Sequence, residues 1–300
     1  MSLSGLHILL TYRCLFACDH CFVWGSPQQE SVFTLARLNE VLDQAQEVGS
    51  LEWIFFEGGE PFLYYPLLLE GARRAAQHGY QVGVVTNGYW ATSVEDARAW
   101  LAPLSEYLDS LSVSTDLLHY DERVSPEARF AQQAAEDLGL PADLIICDLP
   151  QPGRETEPRR GEPVEGGDII YRGRAAVTLA AQITPKPWRS FTECPHEQLA
   201  APGRVHLDPE GNLHVCQGLV IGNLFERPLA GLLQDYQPHD HPIVGPLLQG
   251  GPAELALRYG LTTAEGYADA CHLCYEARQQ LRPRFPDVLR PGQMYGEGLT

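Results

Sequence analysis

The chain has 300 residues, 44% of them hydrophobic, enough to bury one large core or a large and a small one. Its formal net charge is −18, and so acidic a protein repels phosphate backbones and anionic lipid, which argues against nucleic-acid and membrane-surface partners. No apolar stretch reaches membrane-spanning length and the start lacks the marks of a signal peptide, so eight cysteines point to metal binding in a reducing cytoplasm rather than to disulfides.

Leu6 to Leu10 reads as a first strand that feeds a loop carrying Cys14, Cys18 and Cys21. Thr34 is placed to cap a helix with Leu38, Val41, Leu42 and Ala45 on one face, stopping near Gly49. Trp53 to Phe56 is a second strand and runs into Glu57-Gly58-Gly59-Glu60-Pro61. A helix from Pro66 to about Gln77 leads to a third strand, Gln81 to Thr86, which ends at Asn87-Gly88. Ser93, with Asp96 three residues on, opens the next helix. A fourth strand, Leu111 to Ser114, ends at Thr115-Asp116. Ser125-Pro126 opens a fourth helix, and Leu144 to Cys147 is a fifth strand, followed by Asp148. Such alternation predicts parallel strands with right-handed crossovers, and ligands then bind beyond the carboxyl ends of the strands. The cysteine loop, the Gly-Gly turn, Asn87, Ser114, Asp116 and Asp148 all fall at that end and are expected to share one mouth.

The C-x3-C-x2-C spacing offers three thiolates to a four-iron cluster and leaves one iron open. Zinc usually takes four ligands and C-x2-C pairs, which this run fits poorly. Gly58-Gly59 permits close approach to a ligand, and Glu60 adds a negative charge suited to an ammonium group. Together the two motifs resemble the radical S-adenosylmethionine (SAM) superfamily. The resemblance implies a partial (β/α)6 TIM-like barrel. It also implies a [4Fe–4S] cluster on Cys14, Cys18 and Cys21 whose open iron chelates SAM. An electron from that cluster cleaves SAM to methionine and a 5′-deoxyadenosyl radical, which abstracts hydrogen from the substrate. An external donor such as flavodoxin or ferredoxin supplies the electron. The residue before the third cysteine is usually aromatic in that family; here it is His20. Gly58, Gly59, Glu60 and Pro61 match the element that holds the SAM amine, and Asn87, Ser114 and Arg174 are the further cofactor contacts expected.

Beyond the fifth strand the alternation breaks. Pro150 to Gly167, rich in proline, glycine and charge, reads as an exposed loop or lid, with Arg159 and Arg160 as solvated charges. Gly173-Arg174-Ala175 resembles a short element late in such barrels; a glycine turn with surface arginines is the plain alternative. Cys194, Cys216, Cys271 and Cys274 form a second set around a hairpin over Val205 to Val215. Four thiolates suit a structural zinc or a closed [4Fe–4S] cluster. The hairpin, Gly222-Asn223 and the closing C-x2-C resemble the SPASM/twitch extension of radical SAM enzymes, in its single-cluster twitch form. That implies a barrel over 1–185 and a small cysteine-rich α+β extension over 186–300. The stretch Arg227 to Ala270 matches no known pattern. Cys147 reads as a small buried hydrophobe, with a hydrogen-atom donor at the barrel mouth as the alternative, His196 and His214 as neighbours of the cysteines or surface groups, and Phe55, Phe56, Tyr64 and Tyr65 as packing.

A closed second cluster points to net oxidation of the substrate, with that cluster accepting an electron. Redox-neutral epimerisation or rearrangement beside a structural zinc or cluster is the alternative, and a non-enzymatic iron–sulfur protein is the reading from another class. Oxidation needs a base, for which Asp116, Asp148 and Arg172 are the candidates at the mouth. A cluster motif starting at residue 14 leaves no room ahead of it for a leader-peptide domain, which favours a small metabolite, or a peptide delivered by another protein, as substrate.

Overall fold

Strand β1 (Gly5–Thr11) is buried along almost its whole length and has a parallel neighbour on each side. This is a computed structural model, and it describes residues 3–150 and 169–298. The β-α units run β1, α1 (Leu35–Gln46), β2 (Trp53–Gly58), α2 (Tyr65–Gln77), β3 (Gln81–Thr86), α3 (Val94–Leu101), β4 (Ser110–Ser114), α4 (Pro126–Asp137) and β5 (Ala142–Ile145). The expected caps form: the Thr34, Ser93 and Ser125 hydroxyls accept the N–H groups of Arg37, Asp96 and Ala128. Leu38, Val41, Leu42 and Ala45 of α1 face the sheet, as do Leu68, Ala72 and Ala75 of α2. The strand expected over Leu144 to Cys147 lies two residues earlier.

After β5 come a short α5 (Ala175–Thr178) and β6 (Lys186–Pro187). Strands β7 (Arg204–Leu207), β8 (Asn212–Cys216) and β9 (Leu219–Asn223) follow, then α6 (Leu229–Asp235), α7 (Val244–Tyr259), β10 (Gly266–Tyr267) and α8 (Ala270–Leu281). The large sheet has the order β5-β4-β3-β2-β1-β7-β8-β9, and β6 pairs separately with β10. Six strands of the large sheet are therefore parallel, as a partial barrel requires. The sixth, however, is the first strand of the hairpin. It joins at β1, the opposite edge from β5, and satisfies the edge that β1 would otherwise leave bare. The expected loop or lid over 150–167, with Arg159 and Arg160, lies outside the described residues apart from Pro150.

The stretch that matched no pattern supplies α6 and α7. Helix α7 is broken at Gly250-Gly251-Pro252. A Cβ on Gly251 would stand 2.3 Å from the Glu193 backbone nitrogen, and Ala253 N–H donates to the Phe191 carbonyl. The break thus lets α7 press against the segment that carries Cys194.

The hairpin is fastened to β1 by a buried polar knot. Tyr12 donates its hydroxyl to Asp208 Oδ2 (2.9 Å). Asp208 also accepts the Glu210 and Asn212 N–H groups and the Asn212 amide, and lies 3.1 Å from His214 Nε2. His214 is fully buried here, a brace rather than a neighbour of the cysteines at the surface. Burial pushes the Asp208 carboxyl up, but His214 and Asn212 outweigh it and hold the group below the usual range. A depressed carboxylate stabilises the fold above its unfolded value, about pH 3.9, and loses that contribution as pH falls further. Tyr12→Phe should cost about 1 kcal/mol and Asp208→Asn about 3 kcal/mol in urea unfolding. The Asp208→Asn protein should also lose stability less steeply than wild type below about pH 4. Equal acid slopes would refute the role given to Asp208.

Candidate active site and auxiliary cysteine site

The turn after β2 fixes the cysteine loop. Gly59 N–H donates to the Thr11 carbonyl (2.7 Å) and Glu60 N–H to the Arg13 carbonyl (2.8 Å). Gly58 has φ +132°, and a Cβ on Gly59 would stand 2.1 Å from the Arg13 oxygen. The glycines are therefore required by close approach of the chain to itself, where the sequence suggested approach to a ligand. Cys14, Cys18 and Cys21 line a cavity of about 1010 Å³ with His20, Gly58, Gly59, Asn87 and Ser114.

Three N–H groups already point at the sulfurs. Phe16 and Gly25 donate from the backbone to Cys14 and Cys21 (3.4 and 3.2 Å), and the Asn87 amide donates to Cys14 (3.5 Å). Burial pushes the Cys14 thiol up to about 12 against the pull of the Phe16 N–H. Cys18 is raised further by burial and by Cys21, Cys14 and Asp116. Buried thiols of this kind ionise when a metal supplies the positive charge. Three converging thiols, N–H donors aimed at sulfur and a cavity for the rest of a ligand fit a cluster with an open position.

Several expected contacts take other roles. Glu60 is fully buried and does not line the cavity. Its carboxylate accepts from Phe62 N–H, Thr86 Oγ1 and Asn87 N–H, tying the turn to the end of β3. Burial raises it to about 7 despite those donors. In this structure Glu60 thus braces the site through those three donors. Pro61, also buried, starts a 3-10 turn. Arg174 does not line the cavity either; it donates to the Cys18 and Gly25 carbonyls (2.6 and 2.8 Å) and lies over Trp24. Gly173, at φ +61°, packs on Phe22 and the Cys21 carbonyl. This element clamps the cysteine loop from behind, and its arginine is buried, not a surface group.

Among the base candidates, Asp148 is off the cavity wall and ion-paired with Arg123 (3.1 Å). Arg172 is no base: a guanidinium held by Glu197 (2.9 Å) beside the Cys216 sulfur stays protonated. Asp116 does line the cavity. It accepts the Leu118, His119 and Cys147 N–H groups and pairs with His119 Nδ1 (2.9 Å). Burial pushes Asp116 up, but His119 outweighs it and holds it at about 2. His20, edge-on to His119, is lowered to about 4 by burial and by His119. Cys147 also faces the cavity, its sulfur within 4.8 Å of His20 and Asp116 ligand atoms. It is thus more than a buried hydrophobe.

The second cysteine set converges. Cys194, Cys216, Cys271 and Cys274 line one small cavity with Arg172 and Arg278. Cys271 and Cys274 occupy the first turns of α8, whose N-cap Asp269 accepts His272 N–H. Burial raises the Cys194 thiol to about 12 and pushes Cys271 and Cys274 up as well. Arg172 and Arg278 are buried, and each keeps an Nε–H without a partner. Two desolvated cations around four thiols suit a net anionic centre. Among the described residues, the trios whose ligand atoms all lie within 4.8 Å are His7–Glu57–His206, His20–Asp116–Cys147 and His196–Asp269–Cys271. Neither cysteine set is among them, whereas tetrahedral zinc–thiolate bonds of about 2.3 Å bring sulfurs to about 3.8 Å. His196 lines the large cavity, lowered to about 4 by burial and by Arg172.

The sequence reading passed over His7, His206, His119, Glu57 as a side chain, and Arg278. His7 and His206 each sit as a lone imidazole in a short apolar strand, which was the available signal.

Fold and cysteine loop point to one class, and residues 8–132 match the radical SAM superfamily. Among solved structures, it superposes on anSMEcpe, bound to SAM and a Cp18Cys peptide, over 95% of this chain and 98% of that one (TM-score 0.51, 12% identity). Streptococcus suis SuiB, bound to SAM, aligns over 90% of this chain and 77% of that one (TM-score 0.50, 13% identity). These likenesses show the fold. YydG of Bacillus subtilis (strain 168), whose name assigns it to peptide biosynthesis, is 28% identical over 119 residues, 40% of this chain and 36% of that protein. The chain spans between 32% and 43% of the length of the curated relatives it matches. Among the described residues no helix is long and apolar enough to cross a membrane.

Gly59→Ala should lower stability by at least about 2 kcal/mol and reduce iron loading, because the Arg13 backbone cannot yield to a Cβ. Gly49→Ala, with open space around it, should change neither. Equal urea midpoints for the two variants would count against the contact.

Proposed function

We propose that the chain reductively cleaves SAM at a [4Fe–4S] cluster on Cys14, Cys18 and Cys21 and uses the resulting radical to oxidise a small metabolite or a peptide side chain. When bound, that cluster supplies the electron for SAM cleavage, drawn from an external donor such as flavodoxin or ferredoxin. Gly58, Gly59, Asn87 and Ser114 border the cofactor, and Glu60, Pro61 and Arg174 hold its surroundings in place. A cavity of about 1010 Å³ leaves room for a small group beside SAM. A peptide substrate gains support from the name of YydG and from the peptide bound to anSMEcpe.

The second part of the proposal is an auxiliary [4Fe–4S] cluster on Cys194, Cys216, Cys271 and Cys274, in a twitch-like extension over 186–300 whose strand β7 also completes the parallel sheet of the barrel begun by 1–185. One observation carries the oxidative reading: Arg172 belongs to both walls. It lines the cysteine cavity and the large cavity alike. It donates toward Cys216 on one side and lies over the ring of Phe22, next to Cys21, on the other (5.5 Å). A group in the large cavity is thus one side chain away from the second centre, which suits that centre as electron acceptor. Asp116, with His119 and His20, is the remaining candidate to take up the proton.

Reconstituted protein should hold about eight irons and a Cys14→Ala/Cys18→Ala/Cys21→Ala variant about four, all in cubane clusters by Mössbauer spectroscopy. Wild type should form 5′-deoxyadenosine when reduced with SAM. A Cys271→Ala/Cys274→Ala variant should still form it. About four irons and one zinc in wild type would defeat the oxidative reading. Absence of 5′-deoxyadenosine from fully loaded protein would defeat the enzyme reading itself.

A further inference from the structure

A second metal site of a different kind lies on the wall of the large cavity. In the register of β1 and β7, His7 stands opposite His206, so both side chains project from the same face of the sheet. His7 also pairs with Phe55 of β2, and Glu57 lies two residues further along that strand, again on the same face. The result is a compact cluster. His7 Nδ1 lies 3.2 Å and His206 Nε2 3.1 Å from the same oxygen, Glu57 Oε1, and the three ligand atoms fall within 4.8 Å of one another. His7 stacks on Phe55, which fixes its ring. All three residues line the cavity.

A fourth group completes the set. Gln217 is 5% exposed, lines the same cavity, and its Oε1 is buried without a hydrogen-bond partner. Its Nε2 lies 3.5 Å from His206 Nε2, the ring nitrogen that also faces Glu57. That nitrogen meets a carboxylate and an amide N–H at once. If protonated it opposes the amide; if unprotonated it turns its lone pair on the carboxylate. A cation held by the lone pairs of both imidazoles and by Glu57 removes the conflict, and a half-turn of the amide points Oε1 at the same centre.

We propose that His7, Glu57 and His206, with Gln217 beside them, bind a divalent transition-metal ion. Two imidazoles and one carboxylate suit Zn²⁺, Fe²⁺ or Co²⁺, and such sites leave positions open. Those positions face the large cavity, where they would take an oxygen or nitrogen donor of the substrate: a hydroxyl, a carboxylate or an amine. The ion-binding site stands whether or not the oxidative reading holds, because its occupancy is read without SAM or turnover.

The test is equilibrium dialysis of cluster-loaded protein against Zn²⁺, with zinc and iron counted by mass spectrometry. Glu57→Gln, close to isosteric, and His206→Ala should each bind one zinc fewer than wild type with iron content unchanged. Gln217→Leu should weaken binding at least about tenfold. X-ray absorption at the zinc edge should find the lost ion among nitrogen and oxygen neighbours at about 2.0–2.1 Å, not sulfur at about 2.3 Å. Equal zinc contents in wild type and both ligand variants, at equal iron, would overturn the proposal and leave a hydrogen-bonded cluster without a metal. Sulfur-only surroundings for the difference ion would overturn it too.

Discussion

The contact between the end of β1 and the Gly58-Gly59 turn governs the rest of the site. Two backbone N–H groups meet two backbone carbonyls at a distance no side chain can share. That contact sets where Cys14 leaves the barrel. It also delivers Glu60 to the end of β3, where Thr86 and Asn87 bind it, and Asn87 in turn reaches the Cys14 sulfur. The chain from β2 to β3 to the first cysteine is therefore one hydrogen-bonded unit. Arg174 closes it from the other side through the Cys18 and Gly25 carbonyls. Glu60 and Arg174 thus hold the cysteine loop through hydrogen bonds, off the cavity wall.

Strand β1 is also where the two halves of the chain meet. Its far edge is taken by β7, and Tyr12, just past its end, reaches Asp208 in the hairpin turn. The hairpin leads from there to Cys216, and Gln217 carries on to the floor of the large cavity. A displacement of β1 thus moves the cysteine loop and the second cysteine set together. This coupling gives Arg172 a fixed place between them. Its guanidinium is desolvated and compensated by Glu197, an arrangement that holds only if both walls keep their spacing.

Local chemistry was legible in the sequence. The capping residues, the strand order through β5 and both cysteine sets follow from patterns a few residues long, and the structure reproduces their local form. Side-chain direction was not legible. Glu60 reads as a ligand-facing charge in the motif but turns inward, because three donors wait for it on β3 and in its own turn. Arg172 and Asp148 both sit near the mouth by position, yet Glu197 and Arg123 claim them. Pairing over long separation was hidden as well. His7 and His206 become neighbours only through the parallel register of β1 with β7, which no spacing rule connects.

Barrels of parallel strands usually fill their interior with apolar side chains. Here the cavity runs from the cysteine loop down to Ser4, Gly5 and Gly203, at the start of β1 and just before β7, and its wall carries His7, Glu57, Ser112, Arg204 and His206, all at least partly buried. Each of those groups costs more to bury than the aliphatic residue that would pack the space, and a polar group kept from water without a partner costs on the order of 1–3 kcal/mol. Stability of the barrel alone gives no reason to keep them. Glu57 illustrates the point: burial pushes its carboxyl up, and only His7 and His206 together bring it well below the usual range. A hollow, charged interior continuous with the cysteine loop is therefore an argument about the substrate. To a group that reaches it from the mouth, the floor offers charge and not apolar surface.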